Sequence, residues 1–262
     1  MAHPEQVCLI RLSAIGDCCH TVPVLRRLQA AWPQTRFCWI IGAAEATLLG
    51  DIDGVEFIVF NKSKGLAAYS DVRRALRNKR FDLLLHMHAS MRANLVSRLV
   101  SAPVRLGFDR ARARDYQWLF SNQKIAAETG QHAMDALLGF ARHLGVTEQT
   151  LRWDIPIAAD DYAVADQHCQ PQKKMMLISP CSSQRFRNHR NWDAIRYAEV
   201  ASYAIEQHQM QVILTGGNTT LEAEYAQQIV ELTGHPITNL VGQTNLKQLL
   251  ALIDRAFVVL CP

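Results

Sequence analysis

The chain has 262 residues, 49% of them hydrophobic, a net charge of +4 and 7 cysteines, which fits a folded protein of one or two domains. No apolar run approaches the roughly 18 residues of a membrane-spanning helix, and the odd cysteine number without a C-x-x-C pair argues against a disulfide scaffold or a zinc site. Signal-peptide features are also missing from the N-terminus, so we expect a reducing cytoplasm. Residues 1–150 carry 19 Lys/Arg against 13 Asp/Glu, whereas residues 151–262 carry 9 against 11. This asymmetry indicates either that the first half meets an acidic partner or that it has a solvated basic face.

Short apolar runs alternate with segments of helical spacing through the first 150 residues. This order predicts βαβ units, a parallel sheet and an α/β domain over residues 1–150. The predicted strands are residues 7–12, 37–41, 56–60, 82–86 and 104–107, and the predicted helices are residues 21–31, 43–49, 66–78, 91–100 and 131–144.

Residues 151–172 are polar, contain two prolines and are predicted to link two domains. The alternation then resumes, which predicts a second doubly wound domain over residues 173–262. Its predicted strands are residues 175–179, 211–214, 238–241 and 257–261, and its predicted helices are residues 192–207, 220–232 and 246–253. The last strand ends where the next ligand loop and covering helix should begin, so we expect this domain to be truncated relative to a complete member of its fold.

The end of the first predicted strand is the first place to look for chemistry, because α/β sheets bind ligands at the carboxyl ends of their strands. Ser13, Gly16 and Asp17 follow that strand, in a loop that matches neither G-x-G-x-x-G nor a P-loop. Gly16 would let a ligand approach the backbone closely. Asp17 fits either a helix cap or a general base, and the residues alone leave both open. His20 lies one helical turn further on and could face the same site.

Basic residues cluster in three places. Residues 73–80 resemble a solvated helix face, with attachment to an anionic membrane as the alternative. The second cluster runs from Arg105 through Arg110 and Arg112 to Arg114, at a short strand and the loop after it. Guanidinium groups on a loop suit the capture of phosphate or carboxylate, although a solvated surface would explain them equally well. Nucleic acid is not the expected partner, because the chain contains no recognisable DNA- or RNA-binding module.

The third basic cluster follows the first strand of the second domain. It combines hydroxyl and guanidinium groups just before a predicted helix, which favours the binding of a polyanion. The cluster spans residues 179–192 and includes Ser182, Ser183, Arg185, Arg187 and Arg190. After the next strand, Gly216 and Gly217 could flank a nucleotide or simply form a surface turn.

Five short motifs occur in a fixed order along the chain. They are Ser13-x-x-Gly16-Asp17-x-x-His20-Thr21, Gly107-Phe-Asp-Arg110-x-Arg-x-Arg114, Gln131-His132-Ala133, Ser179-Pro180-x-Ser182-Ser183 and Arg190-Asn191-Trp192. With these motifs the chain resembles the lipopolysaccharide heptosyltransferases of glycosyltransferase family 9, over essentially its whole length, and is most similar to type I members. The resemblance implies two Rossmann-like domains, the GT-B architecture.

The resemblance also implies an activity: inverting transfer of a heptose from ADP-heptose to the inner core of lipopolysaccharide, with Kdo–lipid A as the acidic acceptor. Asp17 would be the general base that deprotonates the acceptor hydroxyl. The donor would be bound by Ser182, Ser183, Arg187, Arg190, Gly216 and Gly217. The acceptor would be bordered by Ser13, Gly16, His20, Arg92, Arg110, Arg112, Arg114 and His132. No metal or other cofactor is implied, and such an enzyme would act in the cytoplasm, at or near the inner membrane surface.

Two features depart from the family pattern. An Asp-Ser/Thr-Gly-x-x-His motif that helps to bind the nucleotide diphosphate would follow the strand that ends at Pro262, so this chain by itself could be inactive. His86-Met87-His88-Ala89 stands where members often show an acidic or Gln-Gly pattern, which leaves the acceptor open. The alternatives to a transferase are a sugar-nucleotide epimerase of the same two-domain shape and a truncated, non-catalytic nucleotide-binding protein.

Overall fold

The computed structural model describes residues 3–147, 149–182 and 190–262, and it divides into two units between Pro156 and Ile157. The strands of the first unit are β1 (Gln6–Ile10), β2 (Arg36–Gly42), β3 (Val55–Phe60), β4 (Leu83–His86), β5 (Val104–Gly107) and β6 (Gln123–Lys124). Its helices are α1 (Ile15–Ala31), α2 (Ala43–Leu49), α3 (Leu66–Ala75), α4 (Met91–Ser97) and α5 (Ala133–His143).

The sheet of the first unit is parallel and has the strand order β3-β2-β1-β4-β5-β6. The order reverses between β1 and β4, whose registered partners include Ile10 and His86. This is the strand order of a Rossmann-like sheet, and the reversal marks its ligand-binding crevice. The predicted α/β class is confirmed for this unit.

The central strand β1 is covered on both faces. Its residues from Val7 to Ile10 are fully buried, as expected of an apolar strand in a parallel sheet with helices above and below. Ile10 packs with Val72 of α3 and Val96 of α4. This packing fixes the direction in which the strand ends, and with it the start of the loop that leads to Asp17.

Helix α1 is bound to a segment that follows the sheet in sequence. Pro23 has no N–H to donate to the carbonyl of Cys19, and the indole N–H of Trp153 donates to that carbonyl instead, at 3.0 Å. Arg26 donates to the carbonyls of Trp153 and Asp154, at 3.4 and 2.6 Å. The residues around Trp153 therefore belong to the first unit.

The second unit repeats the same plan. Its strands are β7 (Met175–Ile178), β8 (Gln211–Leu214), β9 (Thr238–Asn239) and β10 (Val258–Leu260), and its helices are α6 (Ala159–His168), α7 (Ala194–His208), α8 (Thr220–Thr233) and α9 (Leu246–Arg255). The strands are parallel in the order β10-β7-β8-β9, which reverses between β7 and β10. Val212 of β8 packs in one core cluster with α7 and α8, whereas Ile213 packs in the other, with α9. The unit is therefore doubly wound, as predicted.

The predicted linker, residues 151–172, is divided between the two units in the structure. Its first residues lie along α1, and its centre forms helix α6. Ala165 of α6 is fully buried in the same cluster as Leu252 of α9, and Arg255 pairs with Asp166 at 2.9 Å. The boundary lies at Pro156–Ile157. The weak apolar periodicity of α6 explains why the sequence did not predict this helix.

Candidate functional site

Asp17 lies at the carboxyl edge of the first sheet, beside the reversal between β1 and β4. Helix α1 begins at Ile15 rather than at the predicted residue 21, so Asp17 stands in its first turn and is not the N-cap residue. The cap position is Ala14, and its N–H donates to Asp17 Oδ2 at 3.3 Å. The carboxylate thus still closes the helix start, in the manner of the acidic residue of a capping box.

Arg11 is the partner of Asp17, and sequence reasoning missed it. Its Nη2 lies 2.5 Å from Asp17 Oδ2, and its Nη1 donates to the carbonyl of Met87 at 2.7 Å. The Arg11 side chain is 12% exposed and that of Asp17 is 40% exposed. Among the described residues, the side-chain contacts of Asp17 engage Oδ2, so Oδ1 is the oxygen available to a substrate. The only signal for Arg11 in the sequence is a cation directly after an apolar strand.

Two histidines, one at the end of β4 and one just after it, are neutral near pH 7. His88 Nδ1 accepts a hydrogen bond from the N–H of Leu12 at 3.1 Å. Burial lowers the pKa of His88 to about 4, with further lowering by Arg11 and an opposing effect of Asp17. His86 is fully buried, its Nε2 lies 2.9 Å from Asn94 Oδ1, and burial lowers its pKa to about 3. Both imidazoles therefore support the loops around Asp17 without adding charge.

His20 and His132 lie together on the first unit, as expected for residues of one site. Their rings are 5.3 Å apart and meet edge to face. His132 is the N-cap residue of α5, where its Nδ1 accepts from the N–H of Met134 at 3.2 Å. His20 Nδ1 is buried and has no hydrogen-bond partner among the described residues. Ser13, which precedes α1, is half-buried, and Gly16 is exposed with open space where a side chain would stand.

The arginines predicted to meet the acceptor have different roles in the structure. The guanidinium of Arg112 contacts the buried carboxylate of Asp109, Gln131 Oε1 at 3.0 Å and the carbonyl of Ala126 at 2.7 Å. It is held inside its own loop. Arg110 is exposed and lies 3.8 Å from the ring of Trp118. Arg92 and Arg114 are exposed as well.

This difference between Arg112 and Arg110 predicts different effects on stability. Arg112→Gln should lower the free energy of unfolding by about 2 to 3 kcal/mol, because the buried Asp109 carboxylate loses its cationic partner and keeps the hydrogen bond from the N–H of Ala111. The matched change Arg110→Gln should cost less than about 1 kcal/mol, since it removes one exposed cation–π contact. Urea unfolding measures both. Equal losses would contradict the internal role of Arg112.

In the second unit, Ser182 lies after β7 and is tied to the start of the next segment. Its N–H and its Oγ both donate to Asn191 Oδ1, at 2.9 and 3.0 Å. Arg190 is exposed next to Asn191. Ser183 and Arg187, predicted to bind the donor, lie outside the described residues. The described part of this predicted cluster is thus brought together at a strand end.

The glycine pair after β8 is covered by a carboxylate that sequence reasoning also missed. A Cβ at Gly217 would stand 2.8 Å from Glu222 Oε2, and one at Gly216 would stand 3.2 Å from the same atom. Glu222 Oε2 and Thr215 Oγ1 are buried, and neither has a hydrogen-bond partner among the described residues. Unsatisfied buried polar atoms beside a glycine loop fit a site that receives a polar ligand.

The described residues show neither a metal cluster nor a membrane span. Within residues 3–147, 149–182 and 190–262, no group of three or more His, Cys, Asp or Glu side chains could hold a metal ion. Across the same ranges, no helix is long and apolar enough to cross a bilayer.

Comparison with known proteins identifies relatives by sequence. The family model "Glycosyltransferase family 9 (heptosyltransferase)" matches residues 70–262. The chain is 38% identical to the lipopolysaccharide core heptosyltransferase OpsX of Haemophilus influenzae, over 99% of this chain and 74% of that protein. It is 22% identical to lipopolysaccharide heptosyltransferase 3 of Escherichia coli K12, over 92% of this chain and 72% of that protein.

Solved structures with the same fold agree with these matches. The glycosyl transferase family 9 protein of Veillonella parvula superimposes with a TM-score of 0.85 and 20% identity, over 98% of this chain and 74% of that chain. Escherichia coli heptosyltransferase WaaC, solved with ADP-2-deoxy-2-fluoro heptose, has a TM-score of 0.77 and 21% identity, over 98% of this chain and 82% of that chain. At these identities the likeness establishes the GT-B type of fold, two Rossmann-like units, as the sequence predicted.

Proposed function

The chain belongs to glycosyltransferase family 9 (heptosyltransferase), and on this premise we propose that it transfers a heptose from ADP-heptose to the inner core of lipopolysaccharide. The observation that carries the proposal is the carboxylate of Asp17, held by Arg11 at the ligand-binding edge of the first sheet. The relatives are heptosyltransferases, so neither alternative, an epimerase or a non-catalytic nucleotide-binding protein, is favoured.

Asp17 is the proposed general base. Its Oδ1 takes the proton of the acceptor hydroxyl, and the hydroxyl oxygen bonds to the anomeric carbon of the heptose. The bond between that carbon and the diphosphate breaks, ADP leaves, and the configuration inverts. Arg11 supports this role because it fixes the carboxylate through Oδ2 and anchors it to the carbonyl of Met87.

The second unit is proposed to bind the donor. Ser182 and Arg190 are placed at the end of β7, and Gly216 and Gly217 follow β8, where the carboxyl ends of parallel strands receive ligands. Cationic and N–H groups there would stabilise the departing diphosphate, so the reaction is expected to need no metal or other cofactor.

The acceptor is proposed to be Kdo–lipid A, bordered by exposed Arg92, Arg110 and Arg114 and by His20 with His132. The positive first half of the chain supports an acidic acceptor. Arg112 would have to exchange its protein partners to contribute. An acceptor anchored in the inner membrane places the enzyme on the cytoplasmic face of that membrane, as a peripheral protein.

Incubation with ADP-heptose and Kdo–lipid A tests this function. Mass spectrometry should detect the acceptor with one added heptose, together with ADP in equal amount. ADP-heptose without acceptor is the control, since an epimerase would convert the donor alone. Two results would contradict the proposal. One is conversion of ADP-heptose when no acceptor is present, and the other is the absence of added heptose on the acceptor when ADP-heptose is supplied.

A further inference from the structure

Three exposed apolar side chains lie in the loop between β5 and β6, and the proposed reaction does not use them. Tyr116 is 63% exposed, Trp118 39% and Leu119 61%. We call these three residues the apolar platform. Apolar side chains displayed together on a surface, rather than scattered singly, mark an interaction site.

The apolar platform is held rigidly from below. Gln117, between Tyr116 and Trp118, is fully buried, and its Nε2 donates to the carbonyl of His86 at 2.8 Å. Its Oε1 accepts from the N–H of Phe108 at 3.2 Å. The buried amide thus turns its neighbours outward.

Asp115 attaches the platform to helix α4. Its Oδ2 accepts from the N–H of Met91 at 2.9 Å, and its carbonyl accepts from Asn94 Nδ2 at 2.6 Å. Asp115 and Tyr116 both adopt left-handed backbone conformations, with φ of 52° and 59°, which non-glycine residues rarely do. The surrounding contacts therefore hold the chain in a shape that presents Tyr116 to solvent.

The surroundings of the platform are apolar and basic. Met91 and Leu95 of the adjacent α4 are exposed. Four exposed arginines lie in α4, directly after it, or in the loop that carries the platform: Arg92, Arg98, Arg110 and Arg114. Arg110 stacks on Trp118. In the part of the chain that the structure describes, none of these arginines forms an ion pair with a carboxylate.

We propose that the apolar platform and its surrounding arginines dock this chain onto an anionic lipid bilayer. Tyrosine and tryptophan concentrate at the membrane–water boundary, and nearby arginines attract anionic headgroups. The other basic segment, residues 73–80, is less suited, because it contains no aromatic side chain. Two of its five cations are also paired, Lys79 with Glu56 at 2.7 Å and Arg74 with Asp71 at 3.2 Å.

The place of the platform fits a lipid-anchored acceptor, and in this respect the inference rests on the proposed function. Gln117 is fixed to the carbonyl of His86, and the next carbonyl, of Met87, receives the arginine that holds Asp17. A bilayer against the platform would bring the sugars of a membrane-anchored acceptor to the edge at which Asp17 lies.

Co-sedimentation with lipid vesicles tests the proposal. The protein should bind vesicles of phosphatidylcholine containing one-third phosphatidylglycerol and should not bind phosphatidylcholine alone. The variant Tyr116→Ser/Trp118→Ser/Leu119→Ser should bind the anionic vesicles at least about tenfold more weakly. The single change Leu119→Ser should weaken binding about threefold. It replaces the triple variant in the test if the triple variant does not fold.

Two control variants separate the contributions. Leu66→Ser removes an apolar side chain that is 86% exposed elsewhere on the first unit, and it should bind like the unaltered protein. Arg98→Gln should weaken binding at low salt and have less effect at high salt. Equal binding by the platform variants, equal loss in Leu66→Ser, or no preference of the unaltered protein for anionic vesicles would overturn the proposal.

Transfer assays in detergent micelles distinguish a failure of this inference from a failure of the proposed function. The Leu119→Ser variant should transfer heptose to dispersed Kdo–lipid A at the unaltered rate, because it leaves Trp118 and the stacked Arg110 in place. If vesicle binding depends on the platform but neither the unaltered protein nor its variants transfer heptose, the docking proposal is supported and the proposed function is contradicted. If heptose is transferred but the platform variants bind vesicles as well as the unaltered protein does, the docking proposal alone is contradicted.

Discussion

Replacement of Asp17 by asparagine is expected to lower kcat for heptosyl transfer by about 10²- to 10⁴-fold. Asparagine keeps the shape of the side chain but cannot accept the proton of the acceptor hydroxyl. Arg11 retains its bond to the carbonyl of Met87, so the loop should keep its form. The affinity for ADP, measured by calorimetric titration, should change less than about twofold, because the proposed donor residues lie in the other unit.

Asp71→Asn is the matched control for this variant. Asp71 is also an ion-paired carboxylate of the first unit, with Lys64 at 2.9 Å and Arg74 at 3.2 Å, but it lies on helix α3 away from the strand ends. It should leave kcat unchanged. Near-normal turnover by Asp17→Asn would remove Asp17 as the base, and a large fall in the melting temperature would assign it a structural role instead.

Lowering the pH is expected to destabilise the protein at pH values well above those at which carboxylates titrate. His86 and His88 have folded pKa values of about 3 and about 4, against a usual value of 6.5, chiefly because burial disfavours their charged forms. The stability that depends on their neutral state is complete above pH 6.5 and is lost as the pH falls toward 4. Together they should remove about 3 to 4 kcal/mol of unfolding free energy between about pH 7 and about pH 5.

A double variant isolates this effect. In His86→Gln the amide nitrogen can still donate to Asn94, and in His88→Asn the amide oxygen can still accept from the N–H of Leu12, but neither side chain titrates. Urea unfolding at several pH values should give a much flatter profile for the double variant than for the unaltered protein. The same steep loss in both proteins would contradict the neutral state of these histidines.

The alternation of apolar and helical segments was enough to predict most strands of both sheets. It failed where local patterns are weak. Helix α6 has little amphipathic periodicity, and its helical state depends on α9, which covers it. Helix α1 begins six residues earlier than predicted because Asp17, inside its first turn, accepts the N–H of Ala14. Helix propensities of single residues do not predict a helix start that depends on a side-chain contact.

The candidate site was predictable only in part, because some of its contacts join residues that are distant in the sequence. Asp17 is recognisable in the sequence because it directly follows a glycine, a few residues after an apolar strand segment. Arg11 is recognisable only once β1 and β4 are neighbours, since its acceptor at Met87 is 76 residues away. Glu222 likewise becomes part of the second strand-end site only when its carboxylate folds back over Gly216 and Gly217.

The sequence by itself determined the α/β class, the family resemblance and the position of Asp17 at a strand end, because each of these is written in local order and spacing. The tertiary structure alone decided which charges are engaged and which groups face solvent. It placed Arg112 inside its loop, kept His86 and His88 neutral and turned Tyr116, Trp118 and Leu119 outward. Burial and pairing depend on residues distant in the chain, and only packing brings those residues together.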